Sequence, residues 1–144
     1  MTYSPSRGRR SPHSAQAYAK IGLETQVLSA SPEHLITLLF DGARTSVAKA
    51  KLYLQNKNIE GRGLAISKAI DIVDSGLKAS IDMEAGGELA QNLTATYELI
   101  IRNLLLANLN ADMEKLNLAE RLLTDLGDAW RISVDPLKSD AAAV

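Results

Sequence analysis

The strongest constraint on this chain is where its prolines are not. The four stand at positions 5, 12, 32 and 136, leaving 103 consecutive residues without one. An interior proline removes a hydrogen bond and clashes with the preceding turn, so a long proline-free run suits consecutive helices. Its composition agrees. The chain has 22 leucines and 20 alanines against five valines and one phenylalanine, a balance that favours helix over strand. At 144 residues the expectation is one compact domain with a self-sufficient core. With no cysteine, a disulfide framework and any Cys-ligated zinc or iron–sulfur site are excluded, and a reducing compartment fits.

Charge divides the chain unevenly. The net value is −1, yet residues 1–14 carry Arg7, Arg9 and Arg10 with no acid, so the rest sums to −4. Three arginines supply little of the phosphate neutralisation that nucleic-acid binding needs, so no nucleic-acid partner is expected. Rich in Ser, Pro, Gly and Arg, residues 1–14 read as a disordered basic tail. They lack the apolar stretch of a secretory signal, and no run approaches the ~20 apolar residues that span a bilayer. A cytoplasmic protein without stable membrane insertion is expected. Residues 15–30 form a cap strip, helical or extended, carrying Tyr18, Ile21, Leu23, Val27 and Leu28 and interrupted by Gly22. Such a piece is marginal alone and must lie against something.

Ser31-Pro32-Glu33 then opens a helix: serine caps, proline suits the first position, and glutamate favours the positive end of the dipole. Four apolar stripes at helical spacing follow. They are Ile36/Phe40/Ala43/Val47/Ala50/Leu54, Ile59/Ile66/Ile70/Val73/Leu77/Ile81, Leu89/Leu93/Tyr97/Ile100/Leu104 and Leu116/Ala119/Leu123/Leu126/Trp130. Breaks are expected at Gln55–Asn58, at Asp82–Glu88 with its paired glycines, and at Asn110–Asp112. Short turns imply antiparallel neighbours. The reading is an all-α, antiparallel up-down four-helix bundle over 31–131, preceded by the cap segment and followed by a flexible C-terminal tail over 132–144.

Reactive constellations are hard to assemble. His13 and His34 are the histidines, and neither has the Glu-x-x-His partner of a helical di-iron site. No serine lies in a G-x-S-x-G context. Gly61-Arg62-Gly63 lacks the third glycine and preceding strand of a dinucleotide loop, and belongs in a loosely wound first turn. Asp82, Glu84 and Glu88 surround glycines, but they are too few for a calcium loop and read as caps. The expectation is a non-enzyme without catalytic residues, metal or cofactor.

Apolar surface, by contrast, is in surplus. Beyond the third stripe, Ile101 and Leu105 lie to one side and Leu99 and Leu106 to the other, and Leu122 and Ala129 flank the fourth. A helix apolar around so much of its circumference must be covered. The cover is the strip 15–29, a second copy of the chain (a homodimer) or a partner's helix. Five large side chains buried at ~2 kcal/mol each yield ~10 kcal/mol gross. Association costs ~4–15 kcal/mol, so tight binding requires a long segment wrapping several faces. The tethered strip can occupy one groove through its effective concentration, as a removable lid.

Several stretches together resemble the flagellar secretion chaperone family called FliS. They are Ala17-Tyr18, Ser29-Ala30-Ser31-Pro32, Leu39-Phe40-Asp41-Gly42-Ala43, Asp74-Ser75-Gly76-Leu77, Asp82–Ala90 (DMEAGGELA), Asn92-Leu93, Tyr97, Arg102, Leu104–Asn108 and Trp130. The L-F-D-G-A and D-x-E-x-G-G-E-L-A blocks are the specific ones. The chain departs from the pattern at Ala85, where lysine is common, and at Asn103, where a second arginine often follows Arg102. The resemblance implies a cytoplasmic helical bundle that holds the disordered C-terminal segment of flagellin in apolar grooves, prevents premature polymerisation, and delivers it to the export-gate protein FlhA. It also implies that the strip fills a groove in the free protein and that its tyrosine, here Tyr18 with Ile21 and Leu23 beside it, governs docking at the gate. For the flagellin groove the sequence points to the off-core residues Ile72, Ile101, Leu105 and Leu122. A self-associating structural or regulatory bundle without a flagellin client is the alternative.

Overall fold

The computed structural model describes residues 30–134, and every regular element there is helical. Helix α1 spans Pro32–Gln55. Helix α2 spans Ile59–Asp71 and runs on through a π-helical turn, Ile72–Leu77, and a 3₁₀ turn, Lys78–Ser80. Helix α3 spans Met83–Asn110 and α4 spans Met113–Val134. The basic tail, the strip through residue 29 and residues 135–144 lie outside the described residues. Helix α4 passes residue 131, where the sequence reading ended the bundle; Arg131 pairs with Asp128 and Asp41, and the next proline comes only at position 136.

Each helix begins where a short polar side chain can satisfy free amides. The Ser31 hydroxyl accepts from the His34 amide at 3.1 Å, and Asn58 Oδ1 accepts from Gly61 at 2.9 Å, in the first turn that holds Gly61-Arg62-Gly63. Asp82 Oδ1 accepts from Glu84 and Ala85, and Asp112 Oδ1 from Glu114 and Lys115. The break expected across Asp82–Glu88 contains one isolated helical turn. Helix begins at Met83, and only Gly87 leaves helical space, at φ 55° and ψ −131°.

Cross-contacts establish the antiparallel order. Along α1 and α2, Tyr53 lies over Gly61 and Leu39 over Gly76. Between α2 and α3, Arg62 donates to Asn108, and Lys78 pairs with Glu98 at 3.2 Å. Between α1 and α4, Lys51 pairs with Glu120 at 2.8 Å, and the Trp130 indole donates to the Glu33 carbonyl at 3.2 Å. The turn at Ala111–Asp112 folds α4 back beside α3.

The core is aliphatic and small-residue rich. Leu39, Val47, Ile66, Ile72, Val73, Ile100, Leu104, Leu116 and Leu123 are sealed from water, with Ala43, Ala50, Ala69, Ala107 and Ala119 between them. Most stripe residues lie where their spacing places them, but Ile59 and Leu89, at stripe ends, are 69% and 67% exposed. Leu39, absent from the first stripe, is fully buried. Truncating it leaves a void that interlocked helices cannot close, so Leu39→Ala is expected to cost about 2–5 kcal/mol in urea unfolding. Leu109→Ala, at a side chain 78% exposed, is expected to stay within about 0.5 kcal/mol of the parent.

Candidate functional site

An apolar cavity of about 500 Å³ opens at the end of the bundle where α1 and α3 begin and where α2 and α4 end. Phe40, Leu77, Ala90 and Tyr97, all buried, line its depth, and the half-buried Ile36, Leu93, Leu126 and Trp130 line its walls. Leu89, Ala85 and Ala129 stand exposed at its edge. Ser80, Asp82 and Ser133 are its polar lining side chains, so it offers contact area and few fixed hydrogen bonds.

One wall is cross-tied. The Trp130 indole clips the last turns of α4 to the first turn of α1. Beside it Asp41 accepts from Arg131 and from Arg44, each at 2.9 Å. These charges are solvent-accessible and contribute at most about 1 kcal/mol per pair. Deeper, the Phe40 and Tyr97 rings lie 6.5 Å apart and tilted by 45°. Burial disfavours the charged phenolate and pushes the Tyr97 hydroxyl up to about 12. Between α2 and α3, outside the cavity lining, the Lys78 ammonium is held above its ordinary value, first by its hydrogen bond to Glu98 and then by the charge of Asp74.

The residues singled out from the sequence are spread over three places. Tyr18, Ile21 and Leu23 lie outside the described residues. Leu105 is exposed, and Ile101 and Leu122 are half-buried against the core. Ile101 and Leu122 lie equally far from the α3–α4 turn and so stand level on the antiparallel pair. Ile72 requires correction: it is 0% exposed and belongs to the core, so it cannot line an open groove. Ile72 lies seven residues after Ala65 and three after Ala69, both buried, so it continues the buried face of α2, which a stripe drawn through the larger Ile59, Ile66 and Ile70 leaves out.

The cavity itself was hidden in the sequence because Ile36, Phe40, Leu77, Leu93, Tyr97, Leu126 and Trp130 all fall on stripes assigned to the core. At the end of a bundle a stripe outruns its neighbours, and core positions become cavity lining. The paired glycines and the lone tryptophan near this end were the available signals. His34 is exposed in the first turn of α1, and the described residues hold no group of three or more side chains fit to bind a metal.

Such a bundle leaves apolar surface unfilled, in the end cavity and at further exposed leucines on α3. The family model described as flagellar protein FliS matches residues 14–135. The flagellar secretion chaperone FliS of Salmonella typhimurium is 46% identical over 116 residues, covering 81% of this chain and 86% of that one. Its Escherichia coli counterpart is 44% identical over 119 residues, covering 83% and 88%. The flagellar secretion chaperone FliS of Bacillus subtilis is 25% identical over 117 residues, covering 81% and 86%. The chain belongs to the FliS family of flagellar secretion chaperones. No helix among the described residues is long and apolar enough to cross a membrane.

The raised Tyr97 hydroxyl sets an alkaline limit. A group whose folded value exceeds its unfolded value stabilises fully below the unfolded value and loses that contribution as pH rises through the folded one. Stability is therefore expected to fall between pH 10 and 12 by about 2 kcal/mol on account of Tyr97. Urea unfolding of the parent and of Tyr97→Phe across that range checks this, since the substitution removes that share of the pH dependence.

Proposed function

We propose that this chain is a cytoplasmic, non-enzymatic export chaperone. It holds the disordered C-terminal segment of flagellin, prevents premature polymerisation, and delivers the client to the export-gate protein FlhA of the flagellar type III apparatus. The observation that carries this reading is the coincidence of family membership with unfilled apolar surface, in the end cavity and along α3. A disordered client that folds as it binds spends part of its interaction energy on ordering, so it can wrap a large surface and still be released.

The strip 15–29 is the occupant of the cavity in the free protein. The chain enters α1 at Ser31, and α1 itself supplies Ile36 and Phe40 to the cavity, so the tether to Tyr18, Ile21 and Leu23 is short. Displaced by flagellin, the strip presents Tyr18 to the gate. Ile101, Leu105 and Leu122 form a second contact for the client along α3 and α4.

Mixing the full chain with a synthetic flagellin C-terminal segment is expected to raise the mass in solution by one segment and to increase the segment's helicity. Unchanged mass and helicity would overturn the reading and leave the self-associating bundle in its place. Leu105→Asp removes about 1.5–3 kcal/mol of apolar contact, and calorimetry is expected to show at least tenfold weaker binding of the segment. Tyr18→Ala is expected to weaken binding of the complex to the soluble part of FlhA while leaving flagellin affinity within twofold. Equal loss of both contradicts the assigned role of Tyr18.

A further inference from the structure

The backbone irregularities of α2 and α3 converge on the end cavity. Helix α2 leaves α-helical pitch at Ile72 and finishes as a 3₁₀ turn at Ser80. Ile81 is then extended, at φ −73° and ψ 132°. One helical turn, Met83–Gly86, follows its cap Asp82 before the chain breaks again at Gly87. Asp82–Gly86 is thus a single turn with one non-helical residue on either side.

Its bonds are mostly internal. The Asp82 carboxylate accepts from the Glu84 and Ala85 amides, and the Asp82 carbonyl accepts from the Gly86 amide at 2.9 Å. Outward, the Thr94 hydroxyl lies 3.4 Å from the sulfur of Met83, itself 50% exposed. Asp82–Ala85 are exposed, yet Asp82, Ala85 and Gly86 line the cavity. The turn holds together internally, is weakly tied to the bundle, and walls the cavity.

The paired glycines do different work. A Cβ at Gly86 would lie 2.6 Å from that of Ala90, so position 86 is glycine for close approach. A Cβ at Gly87 would meet nothing within 4 Å. Only torsion opposes a side chain there, because φ 55° with ψ −131° is open to glycine and closed to L-residues. An L-residue at 87 relaxes toward the right-handed helical region, which carries α3 straight back through Gly86 and swings the turn off the cavity.

We propose that Asp82–Gly86 is a latch, hinged at Ile81 and Gly87, whose swing opens the apolar cavity to its guest. That the guest is flagellin rests on the preceding reading; the hinge does not. Trp130 is the chain's single tryptophan and lines the cavity, so it reports on the latch in the full chain without a client. Gly87→Ala disfavours the kink. Gly87→D-Ala, made by chemical synthesis, favours it, since D-residues invert the allowed map. Acrylamide quenching of Trp130 is expected to rise at least twofold in Gly87→Ala and to stay at or below the parent's level in Gly87→D-Ala. Gly63→Ala, whose added Cβ meets only Asn108 at 3.9 Å, is the control and is expected to match the parent.

Equal quenching in the two Gly87 variants, both folded by circular dichroism, would overturn the latch. Should Gly87→Ala fail to fold, Gly87→D-Ala decides: at least twofold slower uptake of an apolar dye than the parent supports the hinge, and unchanged uptake overturns it. With the flagellin segment, at least fivefold slower association in Gly87→D-Ala is the expected result, and an unchanged rate counts against the latch. A parent chain that binds no segment refutes the client assignment, while the quenching comparison still decides the hinge.

Discussion

The architecture depends on small residues that let two helices approach α1 from different sides. Leu39 and Phe40 are adjacent in sequence and so point about 100° apart around α1. Leu39 seats over Gly76 of the π-helical turn, where a Cβ would come within 3.0 Å of its side chain. Phe40 seats against Gly127 of α4, where a Cβ would come within 3.3 Å. Buried alanines continue the close approach along the middle of the bundle. Helix α1 is therefore the element that the rest packs around, and the glycines on its neighbours fix the level at which each is held.

Small residues also leave the cavity. Toward the end where α1 begins, Ser80, Ala85, Gly86, Ala90, Ala129 and Ser133 line a space that larger side chains would fill. A void lined by phenylalanine, tyrosine, tryptophan and leucine lowers stability in an isolated domain, because its walls lack contacts on one side. A protein that keeps such a space needs something to put in it. In the function proposed above, the strip and the client are alternative occupants of one deficit, and exchange between them requires the space to be reachable.

How far this was legible in the sequence follows from how local each signal is. The caps at Ser31, Asn58, Asp82 and Asp112, and the breaks beside them, are decided within a few residues and were readable. The middles of the four stripes were readable too, because 3.6-residue spacing holds wherever a helix has neighbours on both sides. The failures have local causes. Ile72 was misplaced because the buried face it continues is marked by the small residues Ala65 and Ala69 and not by large apolar ones. Ile59 and Leu89 were placed in the core because periodicity does not reveal where neighbouring helices stop. Leu39 was missed because one stripe was drawn on a helix that packs against two partners. The cavity, the Trp130–Glu33 bond and the Asp41–Arg131 pair join residues about 90 positions or more apart, and no short-range pattern announces them.

The two walls of the cavity are unequal, and that inequality gives opening a direction. On the α1–α4 side, the indole bond to Glu33 and the Asp41–Arg131 pair bridge the helices at the cavity's own level. Moving that wall breaks contacts between elements anchored along their whole length. On the α2–α3 side, the Lys78–Glu98 pair is the tie, and beyond it the chain passes through an extended residue and a single turn to Gly87. Rotation about Ile81 and Gly87 leaves that pair, both buried helix faces and the Asp82 cap intact. The motion proposed for the latch therefore runs through Ile81 and Gly87, on the side away from the cross-tied wall, and leaves the core packed.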